Sequence, residues 1–145
     1  MIIAFGADHG GVQLKAALLE YARGEGHTVI DCGTTENSSV DYPDFAKVVT
    51  TLINARKAER GVLICTTGVG MSMAANKARG IRAALVCNEQ VAALSRKHND
   101  TNVICFGALY TDVAAARKML HIWLNTGFEG GRHQRRIAKL ESSEE

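Results

Sequence analysis

Three short segments set acid, base and anion-binding groups close together: Asp8-His9-Gly10-Gly11, Cys65-Thr66-Thr67-Gly68-Val69-Gly70-Met71-Ser72 and His98-Asn99-Asp100. In the second, glycines let backbone amides turn towards an anion where a helix begins and its dipole adds partial positive charge. Such a nest can stabilise a developing oxyanion, although a plain Gly-rich turn has the same composition. Its spacing is neither that of a P-loop nor that of the dinucleotide fingerprint, so no nucleotide is indicated. Cys65 stands beside that helix start, where a thiolate is favoured and can act as base or nucleophile. A cysteine after Val62-Leu63-Ile64 equally completes a buried strand. Cys32, Cys87 and Cys105 have no such nest and are expected in the core. Asp8 offers either a carboxylate to a ligand or an N-cap to the first helix, whereas His9 has no comparable structural task. His98-Asn99-Asp100 reads on its own as a polar turn. Arg132 and Arg136, four residues apart, share a helical face that can clamp a phosphate or simply meet solvent. The side chains of Met71, Met73 and Trp123 fall at core spacings, and Asn76 and Lys77 belong to no motif that fixes a role.

Short β-rich apolar runs alternate with stretches of 3.6-residue periodicity, the pattern of βα units feeding a parallel sheet. Five strands are expected at about 2–5, 28–31, 61–65, 82–87 and 103–106. Helices are expected at about 12–24, 43–57, 70–78, 89–97 and 111–125, with a basic sixth over 132–141. The only proline, Pro43, falls at a helix start, and Gly24, Gly26 and Gly127 fall where helices would end. No repeat, linker or composition break divides the chain, so a single domain over 1–145 is expected. In an open parallel sheet, ligands bind beyond the carboxyl ends of the strands. That rule selects the loops 6–11, 33–42, 65–72 and 107–112.

With 145 residues, 46% hydrophobic and 22% charged, the composition is that of a compact globular chain. A net charge of +2 is too small for a phosphate-backbone binder, so no nucleic-acid partner is expected. The apolar start reaches Asp8 too soon for a signal or a membrane span, which points to a cytoplasmic protein with no membrane partner. The four cysteines form no C-x-x-C pair and read as thiols.

The blocks Gly6-Ala7-Asp8-His9-Gly10-Gly11, Asp41-Tyr42-Pro43, Cys65-x-Thr67-Gly68-Val69-Gly70-Met71-Ser72-x-Ala74-Ala75-Asn76-Lys77, Gly80-Ile81-Arg82-Ala83, His98-Asn99-Asp100-Thr101-Asn102-Val103 and Phe128-Glu129-Gly130-Gly131-Arg132-His133-Gln134 follow in that order along almost the whole chain. Together they closely resemble the ribose-5-phosphate isomerase B family, which also contains galactose-6-phosphate isomerase subunits. The resemblance implies a three-layer αβα Rossmann-like fold around a five-stranded parallel sheet. It also implies a metal-free, cofactor-free aldose–ketose isomerase acting on a sugar phosphate, assembled as a homodimer or dimer of dimers whose site takes residues from both subunits. Cys65 matches the base, Thr67 an assisting hydroxyl, and the amides of Gly68, Val69, Gly70, Met71 and Ser72 the anion hole. His98 matches the residue that moves a proton at the ring oxygen, with Asn99 beside it in the substrate-binding set. Asp8 would orient sugar hydroxyls and Tyr42 would form a wall. His9, Arg132 and Arg136 match phosphate-binding positions, the arginines reaching across from the partner, and His133 lies near the same site.

Two positions depart from the family pattern. Thr66 replaces the glycine of Cys-Gly-Thr-Gly, and its β-branch could narrow the pocket or tilt the nest. Leu109 stands where an arginine usually follows the fifth strand, so one phosphate clamp is missing and a different sugar phosphate could be preferred. The alternatives are a sugar-phosphate-binding regulator or inactive paralogue with the same fold, and a thiol-redox protein built on Cys65, which would need a resolving cysteine.

Overall fold

The computed structural model describes residues 1–142. Five strands, β1 (Ile2–Ala7), β2 (Thr28–Asp31), β3 (Arg60–Cys65), β4 (Ala83–Leu85) and β5 (Val103–Gly107), form one sheet in the order β2-β1-β3-β5-β4. Every neighbouring pair is parallel. Six helices connect or follow them: α1 (Val12–Gly24), α2 (Tyr42–Asn54), α3 (Val69–Asn76), α4 (Glu89–Asn99), α5 (Val113–Leu124) and α6 (Arg132–Ser142). The expected parallel α/β sheet is therefore present.

Strand alternation divides the interior into two layers. Ile3, Phe5, Val62, Ile64, Ile104 and Phe106 face α1 and α5, where Leu18, Leu120 and Trp123 are buried. Ala4, Leu63, Cys65, Val103 and Cys105 face α2 and α3, against Val49, Met71 and Ala75. Burying each large side chain contributes roughly 1.5–3 kcal/mol. Trp123 keeps its polar atom satisfied by donating from Nε1 to Thr101 Oγ1 at 2.8 Å.

Several expectations shift for physical reasons. Pro43 does lie in the first turn of α2. That helix ends at Asn54 rather than near 57, with Arg56 at φ 58° just beyond it. β4 is only three residues long, so Cys87 falls outside the sheet and is exposed, not in the core. Met73 is 62% exposed, because it is two residues, about 200° of helical turn, from the buried Met71. Asp8 does not cap α1; the N-cap is Gly11. Asn76 completes the short edge strand, accepting from Ala83 N at 2.8 Å and donating to Ala83 O at 3.0 Å.

Candidate active site

The chain leaves β1 towards β2 on one side and returns to β3 on the other, so the loops after β1 and β3 diverge and open a crevice. Backbone bonds fix the four selected loops around it. Asp8 N donates to Ile64 O at 3.1 Å, and Thr34 N to Ala7 O at 2.8 Å. Ala108 N donates to Cys65 O at 2.9 Å, and Leu109 N to Thr66 O at 3.0 Å.

Cys65 ends β3 and is 5% exposed. Gly68 adopts φ 79°, a left-handed conformation open to glycine, and this turns its amide onto Cys65 Sγ at 3.2 Å. Val69 N donates to Thr67 Oγ1 at 3.3 Å. Ser72 N makes the first bond of α3 to Gly68 O at 3.0 Å, while its hydroxyl donates to Val69 O at 2.8 Å. The amides of Gly70 and Met71, in the first turn, have no partner among the described residues. The anion-binding capacity of the loop is thus concentrated on those two amides, with Gly68 N directed at the thiol and Ser72 N committed to the helix.

The surrounding groups are close-packed. A Cβ on Gly70 would lie 2.6 Å from Tyr42 Cζ, so the Tyr42 ring forms a wall directly over the start of α3. Asp8 is buried, and its Oδ1 accepts from Gly10 N at 2.9 Å. His9 is exposed, and its Nδ1 accepts from Val40 N at 3.2 Å. In that pairing the ring carries its proton on Nε2, leaving a donor for an anion. The second buried thiol of this layer, Cys105, is pushed up by burial and, secondarily, by Cys65, so it remains a neutral thiol. Behind the loop after β2, Lys15 is fully buried and donates to Asp31 at 2.5 Å. Asp31 Oδ1 also accepts from Gly33 N at 2.9 Å.

The remaining candidates form a separate group. His98 lies in the last turn of α4, near the edge where the strands start, since Val103 of β5 pairs with Gly61 of β3. Cys65 lies at the other end of β3, roughly 13 Å from Gly61 by strand rise. His98 stacks on His133 of α6, with ring centroids 4.2 Å apart and planes 13° apart. Burial lowers the His133 imidazole from its ordinary value, and His98 and Arg132 act in the same direction. Arg132 and Arg136 share this helix and are exposed. One chain therefore unites Asp8, His9, Tyr42, Cys65, Thr67 and the Gly68–Ser72 turn, and elsewhere unites His98, Asn99, Arg132, His133 and Arg136.

Sequence reasoning did not single out Val40, which orients His9, nor Glu129, whose carboxylate lies 3.7 Å from His133 Nε2. The i,i+4 spacing of Glu129 and His133 was the available signal. A cavity of about 610 Å³ lies by β4, α4 and α6 and includes Asn99 but not Cys65. No described helix is long and apolar enough to cross a membrane.

The fold and the sequence are both similar to those of known proteins. A solved structure of Clostridium thermocellum ribose-5-phosphate isomerase B superposes with a TM-score of 0.98 at 42% identity, covering 99% of this chain and 97% of that one. The Mycoplasma genitalium ribose-5-phosphate isomerase B with bound ribulose-5-phosphate superposes with a TM-score of 0.95 at 40% identity, covering 99% and 95%. Ribose-5-phosphate isomerase B of Escherichia coli (strain K12) is 44% identical over 144 residues, covering 99% of this chain and 96% of the relative. The family model described as Ribose/Galactose Isomerase matches residues 3–140, and the chain belongs to that family.

Proposed function

We propose that the protein interconverts ribose 5-phosphate and ribulose 5-phosphate through an enediolate, with Cys65 as the base. The observation that carries this reading is the Cys65 thiol held by the Gly68 amide beside the unpartnered amides of Gly70 and Met71. With the aldehyde oxygen on those amides, Cys65 Sγ takes the proton from C2. The electron pair becomes the C1–C2 double bond of the enediolate, and the negative charge falls on the oxygen at C1. The O2 proton passes to O1, and return of the proton from Cys65 Sγ to C1 forms the C2 carbonyl of the ketose and regenerates the base. Each well-placed oxyanion donor is worth about 2.7–4 kcal/mol in the transition state, and a positioned base about 10²–10⁴-fold. Thr67 Oγ1, fixed by Val69 N, reaches the same oxygens.

Ring opening needs an acid–base group besides Cys65, and on this reading Asp8 is engaged with the sugar hydroxyls and His9 with the phosphate. The separation of His98 from Cys65 within one chain supports a homodimer in which His98 of the partner subunit protonates the ring oxygen. Arg132 and Arg136 of the partner subunit then join His9 Nε2 on the phosphate. On this reading acid, base and anion hole all come from the chain, with no cofactor. The four free cysteines suit the reducing cytoplasm, where such a sugar phosphate would be met.

A panel of four-, five- and six-carbon aldose and ketose phosphates, with unphosphorylated sugars as controls, tests the assignment. Turnover is expected to be highest for the five-carbon pair and to require the phosphate. Binding without turnover of any member would instead indicate a regulator.

A further inference from the structure

His98 from the end of α4, Glu129 from the connection to α6 and His133 from its first turn each present a ligand atom, and all three atoms lie within 4.8 Å of one another. Two imidazoles and a carboxylate are a donor set of zinc sites. A second observation bears on the same point. His133 is 5% exposed, and its Nε2 is buried without a hydrogen-bond partner. Buried polar atoms are normally paired, so an orphaned nitrogen facing a carboxylate at 3.7 Å asks for an occupant. The scaffold is already assembled: Glu129 N donates to Lys97 O at 3.1 Å and His133 N to Gly130 O at 3.2 Å.

We propose that His98, Glu129 and His133 bind a zinc-like divalent transition-metal ion, and that its binding inhibits the enzyme by taking His98 as a ligand. The inhibitory half rests on the ring-opening role of His98 given above, whereas the binding half does not. Ligand atoms around tetrahedral zinc stand about 3.4 Å apart, so the cluster must close by roughly 1 Å. Exposed Glu129 and half-buried His98 can supply that movement by side-chain rotation. A water would complete the tetrahedron. Arg132 and Arg136 on the same helix oppose a dication, so affinity depends on nitrogen ligation. Magnesium and calcium, which need mostly oxygen ligands, are therefore excluded.

The test titrates chelator-treated full-length protein with Co²⁺, followed by its visible spectrum, and then with competing Zn²⁺. Tetrahedral Co²⁺ bands are expected at one ion per chain, displaced by Zn²⁺ and absent with Mg²⁺. Glu129→Gln, at an exposed position, should weaken binding at least about 10-fold, and His133→Asn should do the same with its fold checked by circular dichroism. Zn²⁺ should inhibit ribose 5-phosphate turnover, and Glu129→Gln should shift that inhibition equally while leaving zinc-free turnover unchanged. A thiolate charge-transfer band would place the metal on a cysteine such as exposed Cys87 and overturn the site. So would binding unchanged in both variants, or no binding. Stoichiometric binding with full turnover would overturn the inhibition. The turnover of His98→Asn in chelator tests the ring-opening role separately, so the two failures are distinguishable.

Discussion

Thr66 Oγ1 lies 2.5 Å from the point where a Cβ on Gly10 would stand, so the loops after β1 and β3 meet in direct contact at the rim of the Cys65 crevice. Gly10 is not among the residues at positive φ, so the constraint is steric rather than torsional. The β-branch of Thr66 is accommodated across the crevice by a residue with no side chain. Gly10→Ala should therefore cost about 1–3 kcal/mol, seen in kcat/KM and in Tm. Thr66→Gly should relieve most of that loss in the double variant. A double-mutant cycle measures it, and additive effects would contradict the contact.

The buried Lys15 depends on a single carboxylate at the end of β2. Asp31→Asn should destabilise the chain by on the order of 2–3 kcal/mol, below the range for fully buried pairs because the Asp31 side chain is 42% exposed. Burial alone would raise the Asp31 carboxyl, but the Lys15 bond and the Gly33 amide outweigh it and hold it below 3.8. A carboxyl lowered by folding contributes stability that is present above its unfolded value and lost as pH falls through the folded one. The stability gap between wild type and variant should therefore be constant at neutral pH and shrink below about pH 4. Denaturation curves from pH 7 to pH 3 measure it, and a gap that widened with acid would refute the pairing.

Much of this molecule was legible in the chain because its signals are local. The alternation of apolar runs with helical periodicity gave all five strands, and the glycines after β1 and β3 marked the crevice. What escaped depended on contacts between distant segments. The Thr66 hydroxyl could be placed against Gly10 only after the register of β1 on β3 was known. Cys87 and Met73 followed the right periodicity, yet one lies past a strand that stops early and the other on the outer side of a short helix. Asn76 belonged to a family block without an assigned task, and its task is to complete the edge strand β4.

Leu109 is 67% exposed beside the crevice, its amide bonded to Thr66 O, and Tyr110 next to it is 75% exposed. A side chain there can reach the loop edge, and an arginine would add a charge-assisted contact worth roughly 1.5–3 kcal/mol. Leu109→Arg should lower KM for ribose 5-phosphate about 10- to 100-fold, with kcat changed less. Steady-state kinetics check it. No change in KM would show that the phosphate lies elsewhere.

The proposed sharing of the site between two subunits of a homodimer has a direct consequence. Cys65→Ala and His98→Asn homodimers should each be nearly inactive. Mixed dimers should regain one intact site each, about one quarter of wild-type activity after random reassociation. Unfolding and refolding the two variants together and assaying the mixture measures this. Activity no greater than the sum of the parents would mean that each site lies within one chain.

The most direct measurement of the central claim is turnover of ribose 5-phosphate by Cys65→Ala beside its binding of ribulose 5-phosphate. With Cys65 as the base, kcat should fall by about 10²–10⁴-fold while binding changes only slightly. Turnover within a few fold of wild type would contradict the account.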